Sequence, residues 1–176
     1  MINPRLAALI TIVVGAALLR LAPHPPNLTP ITAVALFGGA YFSDKRLALL
    51  APLAALFLSD LFIAFHHQMP VVYGSFAVIV GIGLWLQRRR TAVRIAAAAL
   101  ASSVVFFVLT NFGLWATTSY YPHTFDGLVA CYIAAIPWFR NTVVGDLFYT
   151  AILFGGFALL ERRFAVLRQP VTAVRA

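Results

Sequence analysis

Residues 92–115, AVRIAAAALASSVVFFVLTNFGLW, decide the fold. Between Ile95 and Leu109 the only polar side chains are Ser102 and Ser103. The apolar residues do not alternate, so the stretch reads as a helix rather than as a barrel strand. A helix rises about 1.5 Å per residue, and about 20 residues cross the ~30 Å hydrocarbon of a bilayer. This stretch is long enough to do so.

Working outward, spans of the same kind cover 5–22, 30–43, 46–65, 70–87, 92–115 and 139–161. The sequence therefore predicts an all-α polytopic membrane protein with six transmembrane helices in one domain, 1–176. The 30–43 span is short and must tilt or share depth with its loops. Thr29-Pro30 is a good helix start, and Pro70 and Pro137 mark breaks. Composition agrees: 62% of the residues are hydrophobic and 10% charged, too apolar for the interior of a small soluble domain. Residues 6–19 resemble a signal-peptide core, but no A-x-A-type cleavage site follows, so they are kept as a helix.

Basic residues set the orientation. With the N-terminus inside, the inner segments hold Arg5, Lys45, Arg46, Arg88, Arg89, Arg90, Arg94, Arg162, Arg163, Arg168 and Arg175. That is eleven of the thirteen cations, and only Arg20 and Arg140 fall outside. The positive-inside rule then puts both termini in the cytoplasm. The same clustering explains the net charge of +8 without nucleic acid. The single cysteine, Cys131, excludes an intrachain disulfide and a cysteine metal cluster.

The outer loops carry His24, His66, His67 and His123, with most of the prolines. The last one, Thr117 to Phe139, is the longest. Its middle, Phe125 to Ile136, is expected to lie at the interface as a short helix anchored by Tyr120, Tyr121 and Trp138. Asp60 and Asp146 each lie six residues, about 9 Å, from the outer ends of their spans, and Asn111 lies at similar depth. Intramembrane acids are costly and turn toward partners or wet cavities. Two readings follow: one outward-facing polar cavity shared by all three, or separate pins between helices. Ser59-Asp60-Leu61-Phe62 faintly echoes Gly145-Asp146-Leu147-Phe148, which is either a duplicated half or chance.

Other patterns are weaker. The histidines match no zinc spacing, so no protein metal site is expected. Tyr73, Tyr120, Tyr121, Trp115 and Trp138 are either an aromatic belt or ligand walls. Ala7, Thr11 and Gly15, and Ala98–Ser102 with Ala99–Ser103, are small-residue faces suited to helix contact. No nucleophile elbow, metalloprotease helix or phosphate loop occurs.

Pro26-Asn27-Leu28-Thr29-Pro30, with Ala33 to Phe42, Ser59 to Phe62, Thr110 to Gly113, Arg140 to Thr142 and Gly145 to Thr150, resembles a known group. These are small six-helix bacterial membrane proteins related to the substrate-binding S components of energy-coupling-factor transporters. The likeness spans about Pro23 to Thr150 and includes vitamin B12 transporters of the BtuM type. It implies the S-component fold, a location in the bacterial inner membrane, and substrate captured from the outer side by the first, third and fifth loops. The implied ligand is vitamin-like, a corrinoid being one instance. No intrinsic cofactor is implied, and energising transporter subunits are the implied partners. BtuM-type proteins place a cobalt-ligating cysteine near the start of the fourth helix, where this sequence has Tyr73. Cysteine-mediated decyanation is therefore not expected.

The leading function is a substrate-binding transport protein. Asp60, Asn111 and Asp146 would line its cavity. Asn27, Thr29, His66, His67, Tyr73, Tyr121, His123, Arg140 and Asn141 would contact ligand. The rivals are a membrane-embedded cofactor-processing enzyme and a structural or assembly subunit.

Overall fold

Helix starts follow local capping chemistry. The computed structural model describes residues 3–63 and 65–169; Arg175 lies outside them. Asn3 caps α1 (Pro4–Leu18), its Oδ1 accepting the Arg5 amide at 3.0 Å. A single turn, Leu19–Leu21, follows. Asp44 stands before α3 (Lys45–Ile63) and accepts the amides of Leu47 and Arg46 at 3.0 and 2.7 Å. Those amides hold its carboxyl below the ordinary range. Thr91 caps α5 (Ala92–Thr117), and Thr124 caps α6 (Phe125–Arg163). α4 runs from Met69 to Leu86 with Pro70 in its first turn, where a missing N–H costs nothing.

Five of the six expected spans are helices long enough to cross, and the second is corrected to a shorter one. α1 with its following turn, α3, α4, α5 and α6 are long and apolar enough to cross a membrane. The remaining helix, α2 (Ile31–Tyr41), has 11 residues, all of them buried. That is about 16 Å of helix, roughly half a crossing. It starts one residue later than expected, with Pro30 as a cap that makes no side-chain bond. α2 touches each of the five long helices, so it forms the axis of the bundle.

Glycine makes this central position accessible. Gly39 on α2 meets Gly83 on α4 so closely that a Cβ on Gly39 would stand 2.8 Å from the Gly83 Cα. Gly38 similarly leaves room for the Pro52 ring inside α3. Toward its C-terminal end α2 is held by aromatic rings: Phe37 and Tyr41 pack on Phe154 and Phe157 with centroids 4.8–5.6 Å apart. The last carbonyls of a helix lack intrahelical donors. Here Gln87 donates to the carbonyls of Gly39 and Phe42, and Arg90 to that of Ala40, each at 2.8 Å.

The chain leading into α2 has no regular structure. Residues 22–30 lie against α6: the Asn141 side-chain amide donates to the Pro26 carbonyl at 2.9 Å. Gly145 leaves space for the backbone of Leu28 and Thr29. Irregular backbone at membrane depth needs such protein cover.

The expected separate interfacial helix is also corrected. Residues 125–136 are continuous with the last span in one 39-residue helix that carries Pro137 inside it. Pro137 leaves the Ile133 carbonyl without its usual donor, yet the helix continues because α5 braces both sides of the proline. Phe107 packs on Tyr132 and on Phe139, at 5.5 and 4.6 Å. The Tyr132 hydroxyl donates to the Val108 carbonyl at 2.8 Å. The connection between α5 and α6 shrinks to residues 118–124, pinned by Trp115 Nε1 donating to the Pro122 carbonyl at 2.9 Å.

Candidate functional site

The two buried acids come first, because most was expected of them. Asp60 is 1% exposed and forms an ion pair with Arg20, in the turn after α1. Its second oxygen accepts from the Tyr73 hydroxyl at 2.7 Å. Arg20 also donates to Ser59 at 3.0 Å. This cluster ties the end of α1 to α3 and α4. Asp146 is 2% exposed and accepts from Ser103 at 2.6 Å, with the Thr32 hydroxyl beside it. It ties α6 to α5 and α2. Both acids therefore act as helix pins with separate partners, the second of the two readings, and neither is in the lining of the cavity that holds Asn111. The physical reason is that each carboxylate finds its partners within its own helix junction. Arg20, assigned from the sequence to the outer side, is one of those partners.

A different cavity, of about 250 Å³, opens between α4, α5, α6 and residue 27. It lies at the end of the bundle opposite the Arg90–Arg94 cluster. Its polar lining is Asn27, Gln68, Thr110, Asn111 and Thr142, and its rings are Phe106, Phe107, Trp138 and Phe139. None of the lining residues carries a formal charge. Asn27 adopts φ 62°, a left-handed conformation that asparagine tolerates better than most residues. Asn111 donates its amide to the Phe107 carbonyl at 2.8 Å, which leaves its side-chain oxygen free to accept. The Gln68 side-chain amide donates to Thr117 at 3.0 Å. Its Oε1 is buried and has no hydrogen-bond partner among the described residues. An unpaired buried acceptor is costly, and a ligand donor would satisfy it once the Gln68 side chain turned into the cavity.

Of the expected binding residues, the structure brings Asn27 and Asn111 to this cavity. Asn141 supports it indirectly through Pro26. Thr29 lies next to Gly145, away from the lining. Tyr73 is turned to Asp60. His66 and His67 are exposed between α3 and α4, and Arg140 is exposed on α6. Tyr121 is half-buried in the α5–α6 connection. His123 packs its ring edgewise on Trp115 and bonds the Thr118 carbonyl at 3.0 Å. Among the described residues no group of three metal-ligating side chains occurs. Cys131 is a buried free thiol whose Sγ donates to the Asn111 carbonyl at 3.5 Å.

Gln68, Thr110, Thr142 and the three phenylalanines were missed by sequence reasoning. Gln68 carried the better signal: it is a polar residue directly ahead of the Met69-Pro70 helix start. The rings had none, since a phenylalanine in an apolar span reads as lipid-facing or core.

The family model described as "Family of unknown function (DUF6580)" matches residues 1–170. No curated protein and no solved structure matches the chain.

Proposed function

The chain belongs to the DUF6580 family of unknown function, and from that premise we propose that it is a substrate-binding membrane transport protein. The observation that carries this reading is the cavity at the end remote from the basic residues, walled by rings and lined with amides and hydroxyls. Ligand sites are mostly apolar with a few convergent polar groups. Such a lining suits a compact, uncharged, ring-bearing molecule with a donor for Gln68.

The positive-inside distribution gives the orientation: a bacterial inner-membrane protein with cytoplasmic termini and the cavity toward the outside. The resemblance to S components supports capture from that side. Small-ligand pockets run to about 300–1,000 Å³, so this cavity favours a single-ring vitamin-like ligand. A corrinoid requires residues 22–30 or the α5–α6 connection to move aside. Asp60 and Asp146 take no part in binding in this reading. Ala7, Thr11 and Gly15 lie outside the buried core, leaving a small-residue face for a helix of an energising subunit. The chain has no phosphate loop, so nucleotide hydrolysis would belong to that partner.

Equilibrium binding to purified protein, followed by the fluorescence of Trp138 in the cavity wall, tests the reading. The panel is single-ring vitamins together with cobinamide and cobalamin. Saturable binding of a single-ring compound is expected, weakened about tenfold or more by Asn111→Ala, roughly 1.4 kcal/mol. No saturable binding by any compound overturns it. A structural or assembly subunit is the second reading, favoured by the two acids acting as helix pins. It predicts a stable co-purifying partner and an empty cavity.

A further inference from the structure

At the basic end, two hollows meet. One, of about 460 Å³, is a groove between α5 and α6 with largely apolar walls including Ile95, Leu147, Ala151, Phe154 and Gly155. The other, of about 380 Å³, is a polar mouth that includes Glu161 and Arg168. They share Arg90, Ala158 and Arg162, so the apolar groove opens directly into the mouth between two guanidiniums. Glu161, the acid at the mouth, is paired with Arg5 at 2.6 Å. Arg168 donates to the carbonyls of Glu161 and Arg162 at 2.9 and 3.0 Å, which fixes its charge there. Arg90 lies with its guanidinium 4.4 Å above the Tyr41 ring. A positive mouth thus stands over a slot whose only charged lining residues are the two arginines it shares with that mouth.

The length of the slot matters. From Leu147 to Arg162 the α6 axis rises about 22 Å. One leaflet of hydrocarbon is half of ~30 Å, or about 15 Å. The groove therefore runs through the depth of a leaflet with its cations at headgroup level. We propose that it holds one anionic glycerophospholipid of the leaflet at the basic end, its phosphate between Arg90 and Arg162 and an acyl chain along α5 and α6. A basic pocket between transmembrane helices suits such a headgroup. A second protein copy would fill the apolar slot and leave the arginines without an anion. The phospholipid satisfies both parts.

Native mass spectrometry of the full chain in detergent, with equimolar palmitoyl-oleoyl phosphatidylglycerol and phosphatidylcholine, tests this. One phosphatidylglycerol should be retained over phosphatidylcholine, and Arg162→Gln should cut that preference about fivefold, the effect of one basic residue near a headgroup. Gly155→Leu should reduce retention of both lipids. A Cβ at Gly155 meets nothing within 4 Å, so this variant fills the groove without disturbing the helices. Circular dichroism checks the folding of each variant, and either one alone suffices. The proposal is overturned by equal retention of the two lipids, or by a dimer that occupies the groove. It is also overturned if sn-glycerol 3-phosphate displaces the lipid, which would make the mouth a site for a soluble anion.

Discussion

Asp60 faces a guanidinium and a phenol, whereas Asp146 faces two hydroxyls. Both are buried, and in both stretches the next two residues, Leu-Phe, are exposed. The same short pattern thus turns an acid inward and two hydrophobes outward on α3 and on α6. What differs is the neighbour each junction supplies. The turn after α1 supplies Arg20, a full countercharge for Asp60. α2 and α5 supply only Thr32 and Ser103. One acid is held by charge and the other by neutral hydrogen bonds, so the two junctions should respond differently to the same substitutions.

Four variants, compared by thermal unfolding in detergent, sharpen that contrast. Asp60→Ala should cost the most, about 3–5 kcal/mol, because it strands Arg20 as an unpaired charge. Arg20→Leu combined with Asp60→Leu should recover most of that loss. Tyr73→Phe comes next, at about 1.5 kcal/mol, the value of one hydrogen bond to a charged group. Asp146→Asn should cost least, within about 1 kcal/mol, since the amide oxygen can still accept from Ser103. If Asp146→Asn costs as much as Asp60→Ala, the distinction between the two junctions collapses.

The long spans were legible because each crosses by itself: its length and apolarity are local properties. α2 was legible only as a short span. Its full burial depends on Gly39 and Gly83 meeting across two helices, which no local pattern announces. Pro137 was read as a break because proline removes a backbone donor. The bracing by Phe107 that carries the helix through it comes from α5. At the cavity, Asn27 and Asn111 stood out as polar residues in apolar or proline-rich surroundings. The Arg20–Asp60 pair did not, since the two lie 40 positions apart and Arg20 reads as a cation at the outer end of the first span.

A helix that meets no lipid cannot be positioned by lipid. α2 emerges second from the ribosome, yet α4, α5 and α6, which enclose it, are made later. Its 11 residues are too few to settle across a bilayer alone. Assembly must therefore run out of sequence order, with the axis of the bundle seated only after its walls have been synthesised. A chain cut short before α6 would strand α2 without a home, leaving a product suited to quality-control proteolysis rather than to a smaller working protein.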